Sequence, residues 1–147
     1  MNKVSSSLIK DSIIIIFIII IFVSVFLVFY IEIIKYNKIK ISKKNFYTVK
    51  EELMTEIKKC EKKEEKWIFN ISCKNNLTKE LLSDYFNETR KLTNPYDGNE
   101  GVEGVPGSVQ INIENKFLIL TIDVDANGGI DIEHRIYIIC KSSEFIL

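Results

Sequence analysis

Three hydrophobic patterns follow one another along the chain. From residue 13 to residue 31 no position is charged, and the apolar run continues past Glu32 to Ile34. If helical, residues 13–34 extend about 33 Å at 1.5 Å per residue, enough for the ~30 Å hydrocarbon core of a bilayer. In lipid every backbone N–H and C=O needs a partner within the segment, so a lone run of this length must be a helix there. A cleaved secretory signal has a shorter core followed by small residues. Here Glu32, Ile33, Ile34, Lys35 and Tyr36 follow instead. The run therefore reads as a transmembrane helix over 13–34, preceded by an N-terminal tail, 1–12.

The second pattern has a helical period. Phe46, Val49, Leu53, Ile57 and Cys60 recur every three or four positions, with Lys50, Glu51, Lys58 and Lys59 between them. This is the single apolar stripe of an amphipathic helix, assigned to 35–62. Neither proline nor glycine occurs before Pro95, so two readings of the junction stand. One is a continuous helix from the anchor to about Lys62; the other breaks at the basic stretch 40–45. Residues 63–147 then make a small globular head. Thr78 is placed to cap a short helix over 79–92, with Glu80 in its first turn and Leu81, Leu82, Tyr85 and Phe86 as its apolar side. Asn94-Pro95 ends it, because the residue before proline avoids the helical region. A glycine-rich loop occupies 94–107.

The third pattern alternates. Val109, Ile111 and Ile113 face one way and Gln110, Asn112 and Glu114 the other; an apolar strand runs from Phe117 to Val124; Ile130, Ile132, Ile136 and Ile138 alternate with polar neighbours. Short turns between them predict a three-stranded antiparallel meander over 109–140. Its apolar face needs a cover, and the stripe from Phe46 to Cys60 supplies one. The expected class is α+β: a long N-terminal helix, membrane half plus amphipathic half, packed on a small antiparallel meander.

That order of elements resembles the type IV pilins and pseudopilins. Cys60 at the end of the long helix, Cys73 after an insert, the following helix and the run Lys91-Leu92-Thr93-Asn94-Pro95-Tyr96 before a glycine-rich loop strengthen the likeness. The resemblance implies a structural subunit or minor component of a type IV pilus or type II secretion-like filament. It further implies self-association, or association with other pilin-like subunits, through the N-terminal helix, with the head displayed in a surface filament. Pilins are processed after a glycine preceding the apolar segment. Here the first glycine is Gly98, and the nearest counterpart is Ser6-Ser7 with Asp11 in the place of the acid. A membrane-anchored protein that does not polymerise, with a small partner-binding head, is the other reading.

Charge and chemistry narrow the choice. Twenty Lys and Arg balance twenty Asp and Glu, so nothing global points to nucleic acid. The one histidine, His134, falls on the Ile130/Ile132/Ile136 face, and no nucleophile elbow, Cys-x-x-Cys pair or phosphate-cradling loop is present. No catalytic constellation follows, and no enzyme is expected. The turn Asp123, Asp125, Asn127, Asp131 has oxygen side chains at positions 1, 3, 5 and 9 of a calcium-loop pattern, with His134 where a bidentate Glu belongs. A calcium site and a plain polar hairpin turn both fit that composition; no other cofactor is expected. Cys60 and Cys73 can close a loop worth about 3 kcal/mol in an oxidising compartment, or remain free thiols in the cytoplasm. Lys35, Lys38, Lys40, Lys43 and Lys44 outnumber Lys3 and Lys10, a count that favours a cytoplasmic head. The short tail, the amphipathic continuation and the cysteine pair favour a single span of the inner or plasma membrane with the head outside. Three sequons begin at Asn70, Asn76 and Asn87.

Overall fold

In the computed structural model, residues 3–61, 77–114 and 117–138 are described, with side chains of the long helix considered from 11 to 59. Helix α1 runs Lys3–Glu61 without interruption. The tail expected over 1–12 is therefore helical from Lys3, and the stretch 40–45 does not break the helix. The absence of glycine and proline before Pro95 removes the two residues that would stop it. The chain divides into two units, Met1–Asn37 and Lys38–Leu147.

In the first unit the apolar side chains of 13–34 are all exposed, between 37 and 71 % of their surface. No face of this stretch is withdrawn from its surroundings. Ser24 Oγ donates to the Ile20 carbonyl at 2.8 Å, so the hydroxyl is satisfied within the helix.

The second unit holds the core. Phe46, Val49, Leu53 and Ile57 are at most 3 % exposed and share one cluster with Leu82, Phe86, Val102 and the inner side of the sheet. That sheet has the order β1-β2-β3, with β1 Val109–Glu114, β2 Phe117–Ile122 and β3 Ile132–Tyr137. Both pairings are antiparallel; Ile111 lies opposite Leu120, which lies opposite His134. Val109, Ile111, Leu118, Leu120, Ile122 and Ile136 turn inward and are buried. On the outer side Ile119 is also buried, at the centre of the middle strand, and Phe117 meets Tyr137 with ring centroids 5.2 Å apart. β3 is shorter than its alternation suggested. Ile130 is 68 % exposed and lies in the turn before the strand.

Helix α2, Lys79–Asp84, starts where Thr78 Oγ1 accepts the Leu81 N–H at 3.3 Å. It passes into a π-helical turn, Tyr85–Thr89, and the chain leaves the helix at Lys91 with φ +53°. The helix expected over 79–92 thus ends several residues before Pro95. The stop is a local C-cap backed by the loop: after the left-handed Lys91, Leu92 N–H reaches back over the last turn to the Phe86 carbonyl (2.9 Å), and the Leu92 carbonyl takes the Gly101 N–H (3.0 Å). Gly101 is obligatory at that crossing, since a methyl group there would sit 2.7 Å from the Leu92 carbonyl carbon.

Candidate functional site

Polar positions of α1 fasten the glycine-rich loop to the helix. Ser42 and Asn45 lie four residues before Phe46 and Val49, so they extend the apolar stripe toward the N-terminus with polar groups. Both are buried; Ser42 Oγ donates to Gly107 O (3.1 Å) and Asn45 Nδ2 to Thr93 O (2.9 Å). Asn94, 1 % exposed, organises the loop from inside. Its Oδ1 accepts the Tyr96 N–H (3.0 Å) and its Nδ2 reaches Pro106 O (3.1 Å). Gly107, at φ +98°, lies against this knot: a methyl group there would fall 2.5 Å from the Tyr96 ring. Sequence periodicity passed over Ser42, Asn45 and Asn94. For the first two the signal was present, as polar residues at stripe positions.

Two further ties connect the same layer. Glu52 on α1 pairs with Arg90 (2.7 Å) and accepts from Tyr85 OH (3.3 Å). Burial, then the charge of Glu52, raises the Tyr85 hydroxyl above its ordinary range. Glu103 bridges Lys79 and the Ile111 N–H, capping part of the outer edge of β1.

The acidic turn between β2 and β3 brings together the residues that the calcium-loop pattern named. Carboxylate oxygens of Asp123, Asp125 and Asp131 lie within 4.8 Å of one another. Most of these oxygens already serve the turn. Asp123 accepts the N–H groups of Asn127 (3.1 Å) and Gly128 (2.6 Å), and Asp131 accepts that of Val124 (2.7 Å). Asp125 Oδ2 takes Asn127 Nδ2 (3.0 Å), while Asn127 Oδ1 takes the Gly129 N–H (2.9 Å). Asp125 Oδ1 is buried without a hydrogen-bond partner. Tyr96 OH donates to Val124 O at 2.7 Å, joining this turn to the glycine-rich loop. Burial, then the charges of Asp125, Asp123 and Asp131, pushes the Tyr96 hydroxyl up. A hard divalent cation would find oxygen donors here. The closing position is different: His134 sits within β3 opposite Leu120, and the neighbouring Glu133 is exposed and paired with Arg135 (2.8 Å). The carboxylates act first as caps for a strand-to-strand turn.

His134 is half-buried, and burial followed by the charge of Lys50 holds its pKa below the ordinary value. Asn87, the third sequon, is committed to the fold: its Oδ1 accepts Val102 N–H (3.0 Å), and its Nδ2 donates to Val102 O (2.9 Å) and Ser83 Oγ (3.2 Å). A glycan on that nitrogen would displace these bonds. The side chains of Cys60, Cys73, Ser6 and Ser7, and the sequons at Asn70 and Asn76, lie outside the described residues. Asp11 is an exposed residue of α1.

The other candidate surface is the apolar part of α1. Within Asp11–Lys59 lies a window of mean hydropathy 3.4, none of it buried, making this helix long and apolar enough to cross a membrane. Comparisons with protein-family models, curated proteins and solved structures return no match to the chain.

Proposed function

We propose that this chain is a membrane-anchored structural subunit of a pilin-like filament, held in the bilayer by residues 13–34 and displaying the α+β head outside. One observation carries the reading. A single uninterrupted helix is apolar on all sides over its first half and buries one stripe under an antiparallel meander over its second. An all-round apolar helix can exchange lipid neighbours for copies of itself, which is what a filament core requires. The head's glycine-rich loop, fastened to α1 through Ser42 and Asn45, supports the same reading by tying the head to the amphipathic half of the helix.

A second reading, a lone anchor with a partner-binding head, is favoured by the absence of glycine before Gly98. The mature N-terminus separates the two. Mass spectrometry showing cleavage near Ser6 or Ser7 with a methylated new amine supports the filament subunit; a mature chain still beginning at Met1 supports the lone anchor. Topology is tested by the three cysteines. With the head exported, Cys60 and Cys73 are joined, and alkylation of the denatured, unreduced protein finds one thiol. Finding three overturns the exported head.

A further inference from the structure

The charged side of α1 just beyond the apolar run is the strongest surface left without a role. Between Lys35 and Lys50 the chain contains no Asp or Glu, but it has Lys38, Lys40, Lys43 and Lys44. The helix sorts them. Ser42, Asn45 and Phe46 are buried against the head, whereas Lys40, Lys43, Lys44 and Tyr47 are exposed. At 100° per residue these four occupy one side of α1, about 100° wide and opposite the buried stripe. Tyr47 rests edge-on against Phe46 with ring centroids 5.7 Å apart and leaves about half its surface exposed, while the three lysines have no anionic partner among the described residues. Retaining like charges so close together costs free energy unless an anionic surface is present.

We propose that Lys40, Lys43 and Lys44, with Tyr47, form a docking face for the phosphate groups of anionic lipids. This rests on the membrane-anchor reading and adds to it a preference for lipid class. The occupant is chosen by charge and by place. The face begins six residues after Ile34 in the chain, close enough in sequence for its long lysine side chains to reach headgroups on whichever side of the membrane the head lies. Lysine and tyrosine are also the side chains that combine an apolar stem or ring with a polar tip, as a headgroup layer demands.

The test uses the full chain reconstituted in phosphatidylcholine vesicles with spin-labelled phosphatidylglycerol or spin-labelled phosphatidylcholine as probe. The fraction of each label motionally restricted by the protein gives their relative association. At low salt the anionic label should be preferred by at least about fivefold, since each lysine near an anionic surface contributes on that scale. The preference should collapse toward unity in ~0.5 M salt and in the K40Q/K43Q/K44Q variant, whose substitutions lie on the exposed side. The salt arm needs no variant, so it decides even if the triple substitution impairs folding. Equal association of the two labels with the wild-type chain, or a preference that survives either salt or the substitution, overturns the proposal. No restricted fraction with either label contradicts the anchor reading itself and removes the proposal with it.

Discussion

The two halves of α1 share a backbone and differ in what they ask of their surroundings. Over 13–34 every side of the helix is apolar and every apolar side chain is exposed, whereas Phe46, Val49, Leu53 and Ile57 form one stripe that the head covers almost completely. The packed half has lysines, glutamates and tyrosines on its other sides. A helix is stabilised mostly by where its apolar face goes, not by propensity alone. The second half is covered by the meander, and the first half leaves its apolar side chains exposed, as a helix suited to crossing a membrane does.

Substitutions with opposite readouts in the two halves break that comparison. The largest effect is expected from Ile20→Lys combined with Val23→Lys, since each charge at the centre of a span opposes insertion by about 2.5–3.5 kcal/mol. Membrane integration should fail, measured by flotation with lipid, while the thermal midpoint of the head is unchanged. Val49→Lys should do the reverse, leaving integration intact and unfolding the head through an unpaired buried charge. If both substitutions have the same effect, the two halves are not separate in function.

Next in size is Leu53→Ala, expected to destabilise the head by about 2–5 kcal/mol through the cavity it leaves. Ile16→Ala, on the exposed half, should leave chemical denaturation of the head unmoved. Smaller is Asn94→Ala, which strips the loop of its internal partners and leaves the Tyr96 N–H and the Pro106 carbonyl without them. A loss of about 1–3 kcal/mol is expected, with the loop between Asn94 and Gly107 the first region to gain hydrogen exchange.

The smallest effect belongs to His134. Its pKa is lowered in the folded head, by burial and then by Lys50, from an ordinary value of 6.5. The unfolded chain therefore takes up the proton first as pH falls. Stability from this group is complete above pH 6.5, declines below it, and levels once the folded form is protonated as well. His134→Gln should flatten that decline in a series of thermal melts. An equal slope in both proteins would show that His134 is not its source.

Periodicity made much of this fold legible. The spacing of Phe46, Val49, Leu53 and Ile57 pointed to the buried side of α1, and alternation from Val109 onward pointed to a three-stranded antiparallel sheet, because helices and strands write burial into sequence at different periods. What periodicity does not carry was missed. The short helix ends at a left-handed Lys91, a residue type that carries no stop signal, and the Leu92 carbonyl is then held by Gly101 from across the loop. Ser42 and Asn45 stood out as polar residues at stripe positions, but their partners are backbone carbonyls 65 and 48 residues along the chain, which composition cannot announce. The acidic turn was half legible. Asp123, Asp125 and Asp131 do converge, yet backbone N–H groups of the turn take both oxygens of Asp123 and one of Asp131, and Asn127 Nδ2 takes one of Asp125.

Residence of the first half of α1 in lipid can be tested on the whole chain. Membranes from cells producing the full chain are washed with alkaline carbonate and then floated through a density gradient. The protein should rise with the lipid after the wash. Recovery in the carbonate supernatant, or at the bottom of the gradient without lipid, would contradict it.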